Sequence, residues 1–163
     1  MKRIKRKFIR IPDWEFFRGV ANDIISRGRY YMLNGFIAHS NVSVYMHSLK
    51  VAALSYYIAV KSGVKCDLKS LITGALLHDY YLYDWHDNKP FTFHGLKHHK
   101  IALKNALEDY ELTKTAQSII YTHMFPLTFW TIPWRTEARI VMRADKIVSM
   151  RETLKRDPQP KFA

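Results

Sequence analysis

Apolar residues recur at intervals of three and four along most of the chain, the period of helices that bury one face. Asp13 is placed to cap a helix running through Trp14, Phe17, Val20 and Ile24 and ending near Gly28. Ser40 or Asn41 opens a longer helix with Val44, Val51, Leu54 and Ile58 on its inner face, which Gly63 closes. Asp67 caps a third, carrying Leu68, Leu71, Ile72, Ala75 and Leu76. The stretch from Tyr80 to Phe93 is aromatic and polar without a period and reads as a loop. Helical spacing returns from about Gly95 to Leu107, from Thr113 to about His123, and from about Arg135 to Leu154, with Pro126 and Pro133 bracketing a loop between the last two. Strand-like alternation, internal repeats and low-complexity linkers are absent, so the pattern predicts one all-α domain over residues 1–163. Its parts are a basic N-terminal helical segment (1–34), a core (about 40–155) and a frayed tail (156–163).

Several of the inward stripes are broken by residues that do not belong in an apolar core. His47 takes the second slot of the series 44, 47, 51, 54, 58. Asp79 stands in helical step with Leu68, Ile72 and Ala75, directly after His78; His123 continues Leu112, Ala116 and Ile119; Asp145 lies between Val141 and Val148. Each alone has an ordinary reading, a hydrogen-bonded core histidine for His47, a cap or ion-pair partner for Asp79, a salt bridge to Arg143 or Lys146 for Asp145. Four helices each turning a His or Asp inward make a joint pattern. Burying two carboxylates in one small core is costly unless they are paired or bound to a metal. A divalent cation at their meeting point answers both charges, and mixed His and carboxylate donors suit iron, manganese, zinc or nickel.

Composition narrows the setting. The 163 residues carry 26 Lys and Arg against 14 Asp and Glu, a formal net charge of +12, so the surface attracts anions of any kind. Cys66 is the only cysteine, which excludes an intramolecular disulfide and a thiolate zinc site. No apolar signal region follows the basic start, and the longest apolar stretch, Val51 to Val60, falls short of the ~20 residues of a membrane span. A cytoplasmic protein without a membrane partner is expected.

The segments HSLKVAAL, GALLHDYYLYDW and RADKIVSM resemble, in that order, the H…HD…D signature of the HD-domain superfamily, over roughly residues 40 to 155. The resemblance implies a compact helical bundle that hydrolyses phosphate esters or anhydrides, mostly of nucleotides, by metal-activated water. It carries the first-metal ligands onto His47, His78, Asp79 and Asp145. In branches with two metals the HD aspartate bridges the ions, and two further histidines bind the second. His98, with Ala102 four residues on, and His123 fit these places, and His94, one turn earlier, competes with His98. His99 points about 100° away from His98 and is expected at the surface or facing substrate.

The resemblance thus implies one or two divalent ions, iron favoured, with Mn, Zn, Ni or Mg as alternatives. No GYP triplet follows the motif, and Leu82 stands where nucleotidase-like members carry a Glu. Asp84 and His86 are the nearest ionisable groups for acid–base work, beside Asp79 itself, and Lys97, Lys100 and Lys146 are candidates to stabilise charge on a transferring phosphoryl group. The narrower resemblance is to compact di-iron dinucleoside-polyphosphate hydrolases. The expected partner is a small anionic phosphorylated substrate, and a homodimer is left open. Two rivals stand beside this: an HD protein that senses a ligand without turnover, and a nucleic-acid-binding module, which the scattered basic residues and missing binding motif disfavour.

Overall fold

The computed structural model describes residues 10–84 and 94–154. The all-α expectation holds, with six α-helices among the described residues: α1 (Trp14–Ile25), α2 (Val44–Ser62), α3 (Leu68–Leu77), α4 (His94–Asp109), α5 (Lys114–Thr122) and α6 (Thr136–Thr153). Caps set most boundaries. Asp13, Asp67 and Thr113 each accept a backbone N–H from the first turn of α1, α3 and α5. Gly63 ends α2 in the left-handed region at φ 68°, where a residue without Cβ is unstrained.

The chain departs from expectation between α1 and α2. Tyr30–Gly35 forms a 3-10 helix, and Ile37–His39 (β1) pairs antiparallel with Val42–Ser43 (β2), matching Ile37 with Ser43 and His39 with Val42. Ser43, rather than Ser40 or Asn41, caps α2. Strands of three and two residues are too short to show a period, so alternation could not reveal them. The turn between them holds Ser40 at φ 52°, and its hydroxyl donates to the Glu152 carbonyl of α6, 3.3 Å away.

Helix α3 organises the core. Every residue from Ser70 to Leu77 is buried, so α3 is enclosed on all sides, with α2, α5 and α1 packed around it. Helix α6 closes the bundle against α2 and α5. Leu71, Ile72, Ala75 and Leu76 meet Val51 and Ala52 of α2, Ile119 and Ile120 of α5, and Val141 and Ala144 of α6 in one cluster. The α3–α5 approach depends on Gly74: a Cβ there would stand 2.8 Å from both Cβ and Cδ1 of Ile119.

Gly74→Ala should therefore destabilise the protein by about 1–3 kcal/mol, the usual cost of overpacking. In an open helix the same change would stabilise by roughly 1 kcal/mol, so the two effects differ in sign. Thermal or denaturant unfolding distinguishes them, and a raised midpoint would show that α3 and α5 can separate freely.

Candidate metal centre

The buried end of α3 delivers the site. His78 is its C-cap residue and Asp79 follows, and the chain then leaves the helix through Tyr80 and Tyr81. Asn105 of α4 donates to the carbonyls of Tyr80 (3.1 Å) and Tyr81 (3.0 Å), which holds that exit in place. Leu82 lies in the left-handed region at φ 57°, a strained conformation for a branched side chain of a kind that collects near functional sites.

His47 from α2, His98 from α4, His123 capping α5 and Asp145 from α6 converge on His78 and Asp79, and all six are buried. The donors fall into two groups that share Asp79. Its Oδ2 lies 3.5 Å from His78 Nε2 and 3.8 Å from His47 Nε2, and Asp145 Oδ1 is 3.2 and 3.7 Å from the His47 and His78 nitrogens. Its Oδ1 faces the other way, 3.2 Å from His98 Nε2 and 3.4 Å from His123 Nε2, which are themselves 2.9 Å apart. Donor atoms of His47, His78 and Asp79, and again of Asp79, His98 and His123, are close enough to hold one ion per group.

The donor chemistry fits divalent ions. Two nitrogens about 2.1 Å from a shared ion stand roughly 3 Å apart when their bonds meet at a right angle. His78 Nε2 and Asp79 Oδ1 are buried without a hydrogen bond, although imidazoles and a carboxylate surround them. Buried polar atoms are seldom left so, and a cation satisfies both. The imidazoles are also set in the tautomer a metal requires. Nδ1 of His78 donates to the Ala75 carbonyl at 2.7 Å and Nδ1 of His123 to the Ile120 carbonyl at 2.8 Å, so each turns the Nε2 lone pair inward.

His47 is held differently. Its Nδ1 contacts the Glu152 carboxylate at 2.8 Å, and Lys50 donates to the other Glu152 oxygen at 3.3 Å. The Glu152 side chain is fully buried. Neither Glu152 nor His39, which meets the His47 ring edge-to-face at 5.2 Å, figured among the sequence candidates. Glu152 could have been found: it extends the 141, 145, 148 stripe by one more step. His39 could not, because the hairpin that carries it left no trace in the pattern.

Burial opposes charge on every group here, but partners override it for some. Asp79 and Asp145 are held well below the usual carboxylate range by the surrounding imidazoles. His47 is pushed up to about 10 against its burial by bonds to Asp145 and Glu152, and His78 is also raised, chiefly by Asp79. His39 and His123 are lowered by burial.

A cavity of about 620 Å³ opens onto this centre. Asp79, His98, His123, Asp145, Lys146 and His39 supply the polar part of its wall, and Ala38, Met124, Pro126 and Leu127 the apolar part. Lys146 donates to the His123 carbonyl at 3.4 Å, and burial lowers its pKa. Asp84 is half-buried near Tyr81 and is not among the residues lining the cavity. His86 lies outside the described residues, and of His94 only the backbone, which starts α4, is described.

His99 corrects the expectation of a surface or substrate-facing residue. It is fully buried, its ring edge-to-face with Tyr121 at 5.3 Å, with burial lowering its pKa to about 4. The first turns of α4 are enclosed over more than the 100° that separate neighbouring residues, so both His98 and His99 are covered.

The family model described as the HD domain matches residues 44–150, well over half of the chain. No curated protein and no solved structure matches it.

In protein stripped of divalent ions, the raised His47 pKa favours folding below the unfolded value near 6.5, and that contribution is lost as pH climbs from there toward 10. The melting temperature of chelated protein should fall across this window, and the fall should be smaller in Glu152→Gln. A melting temperature that rises with pH over the same range would show that His47 is not the protonated group.

Proposed function

The chain belongs to the HD-domain superfamily of metal-dependent phosphohydrolases, and from that premise we propose that it hydrolyses phosphate ester or anhydride bonds of a nucleotide or related phosphometabolite. The observation that carries the reading is the pair of donor groups meeting on opposite oxygens of Asp79. His47, His78, Asp79 and Asp145 would hold one divalent ion, and Asp79, His98 and His123 a second, with iron the favoured metal. Bound ions supply a nucleophile at neutral pH by acidifying water toward a pKa of roughly 7.

The protein's own groups do the rest. Asp79 spaces the two donor groups through its two oxygens. The carbonyls of Ala75 and Ile120 keep the histidine lone pairs turned to the centre, and Glu152 does the same for His47 by accepting a hydrogen bond from its Nδ1–H. Lys146, on the cavity wall beside Asp145, offers positive charge to a phosphoryl group in the cavity. Asp84 stands off the cavity wall, which favours Lys146 over it for direct contact with substrate. The apolar wall at Ala38, Met124 and Leu127 suits a base or another flat apolar group beyond the phosphate.

Protein purified without chelators should carry one to two equivalents of metal and turn over members of a nucleotide and sugar-phosphate panel. His78→Ala and Asp79→Ala should lose metal and at least about 1000-fold in kcat/KM, a factor that corresponds to roughly 4 kcal/mol. Turnover by protein shown to be metal-free would refute the reading, and full metal loading without turnover of any panel member would point to ligand sensing instead.

His98→Ala or His123→Ala should lower the stoichiometry from two ions to one, with the remaining ion on the His47 side. Anomalous scattering from metal-soaked crystals should show two peaks about 3.5–4 Å apart, and a single peak at saturating metal would reduce the site to one ion. Glu152→Gln should weaken metal binding by about 10- to 100-fold, the usual effect of removing a carboxylate behind a ligating histidine.

A further inference from the structure

The segment joining α5 to α6 is built inside out. Thr128 and Thr131 are buried and bonded to each other, the hydroxyls 2.5 Å apart, and Thr131 also donates to the Thr128 carbonyl at 2.9 Å. This knot turns the large apolar side chains outward: Leu127 is 54% exposed, Phe129 70%, Trp130 51%, Ile132 43% and Trp134 79%. Five such side chains within eight residues, with the Phe129 and Trp130 rings 4.9 Å apart, make an apolar projection that soluble surfaces seldom carry without a partner.

The flanks of this projection are cationic. Arg135, Arg139 and Arg143 follow it along α6, spaced four apart on one side of the helix, and all are exposed. Gly95, in the first turn of α4, abuts the Leu127 side chain, and Lys97, Lys100 and Lys104 continue along α4 as exposed residues. None of these six cations makes an ion pair among the described residues. From Tyr121 to Arg151 the acids are Glu137 and the buried Asp145.

We propose that the 127–134 projection is an interfacial anchor that seats the protein on an anionic lipid surface, with the mouth of the metal cavity beside the membrane. Aromatic and aliphatic side chains projecting between basic residues are the chemistry by which peripheral proteins enter the headgroup region. The basic flanks then meet the negative surface potential of the lipid. Repulsion between the same unpaired cations disfavours two copies of the chain meeting through this face. Leu127 and Ile132 gain from acyl chains but offer no ring to a nucleobase, which favours lipid over nucleic acid. No described helix is long and apolar enough to cross a bilayer, so the contact is at the interface. Leu127 belongs to the wall of the cavity as well, and Pro126 beside it, which sets the anchor against the cavity. The anchor stands on surface geometry and charge, and holds whether or not the metal centre turns over substrate.

Sedimentation with vesicles of mixed phosphatidylglycerol and phosphatidylcholine tests this on the full chain. Wild-type protein should partition onto the anionic vesicles, weakly or not at all onto phosphatidylcholine alone, and less as salt rises. Its tryptophan emission should shift to the blue and be quenched by brominated lipid. The W130S/W134S variant, whose changed side chains are exposed and leave the core untouched, should lose at least tenfold in partition while keeping its helical circular dichroism. R135E/R139E should lose the salt-dependent part. Absence of partition at low salt, absence of quenching by brominated lipid, or partition unchanged in W130S/W134S would overturn the proposal. So would a wild-type dimer that the same variant makes monomeric, or a complex with a single-stranded oligonucleotide that excess anionic vesicles fail to displace.

Discussion

Two buried carboxylates, Asp79 and Asp145, set the terms for the rest of the bundle. A small helical core cannot shelter ionised groups of the same sign unless positive charge stands between them. Histidines from α2, α3, α4 and α5 arrive at that point, and the helices are oriented so that they can. Helix α3 is enclosed on every side because its end must reach the middle of the molecule, and the close approach at Gly74 brings α5 and His123 alongside it. Packing and chemistry meet at the same residues. An apolar repacking of α3 that moved its last turn would separate the oxygens of Asp79 from both donor groups.

The same local device recurs at two of the histidines. His78 and His123 are the C-cap residues of α3 and α5, and each returns its Nδ1 proton to the carbonyl three residues earlier. A helix end leaves its last carbonyls without partners, so the bond satisfies the backbone while fixing the ring. The tautomer follows from the position of the residue on its helix. His47 lies within α2, where the backbone carbonyls are already engaged, and it needs a side chain to play that part. Glu152 does so, which explains a fully buried carboxylate one turn beyond the last core residue of α6.

Much of this was legible because helices impose a period. His47, Asp79, His123 and Asp145 interrupt apolar stripes, and such an interruption marks an inward polar group from spacing alone. The HD-domain resemblance drew on the same residues, with His78 and His98, and the family match over 44–150 agrees with it. Glu152 lay on the stripe of Asp145 but beyond its last apolar member, so a stripe read from apolar residues alone ended at Val148. His39 rides on a hairpin too short to show alternation. The burial of His99 depends on how much of α4 its neighbours cover, a tertiary fact that angular spacing cannot supply. Asp84 was chosen for its nearness in sequence to the HD pair, and among the described residues it is not one of those lining the cavity.

Charge would tie the proposed centre to an anionic substrate. The pair Glu152 and Lys50 is internally balanced, so the charge facing the cavity comes from Asp79, Asp145 and whatever they hold. A single divalent ion against two carboxylates leaves that face neutral, which gives little reason for a phosphate to enter. A second ion, as proposed, would make it positive by two charges, and the polar wall would then attract anions that the apolar lining alone would not favour. Neutral imidazoles at His39 and His123, kept uncharged by burial, add nothing to this sum. Lys146 on the cavity wall would supplement it, and burial lowers its pKa. On that reading the split of Asp79 between two donor groups would do more than fill coordination sites. With two ions bound as proposed, it would convert a neutral buried cluster into a receptor for phosphate, and it would give His98 and His123 a purpose in a core that could have been closed with leucine.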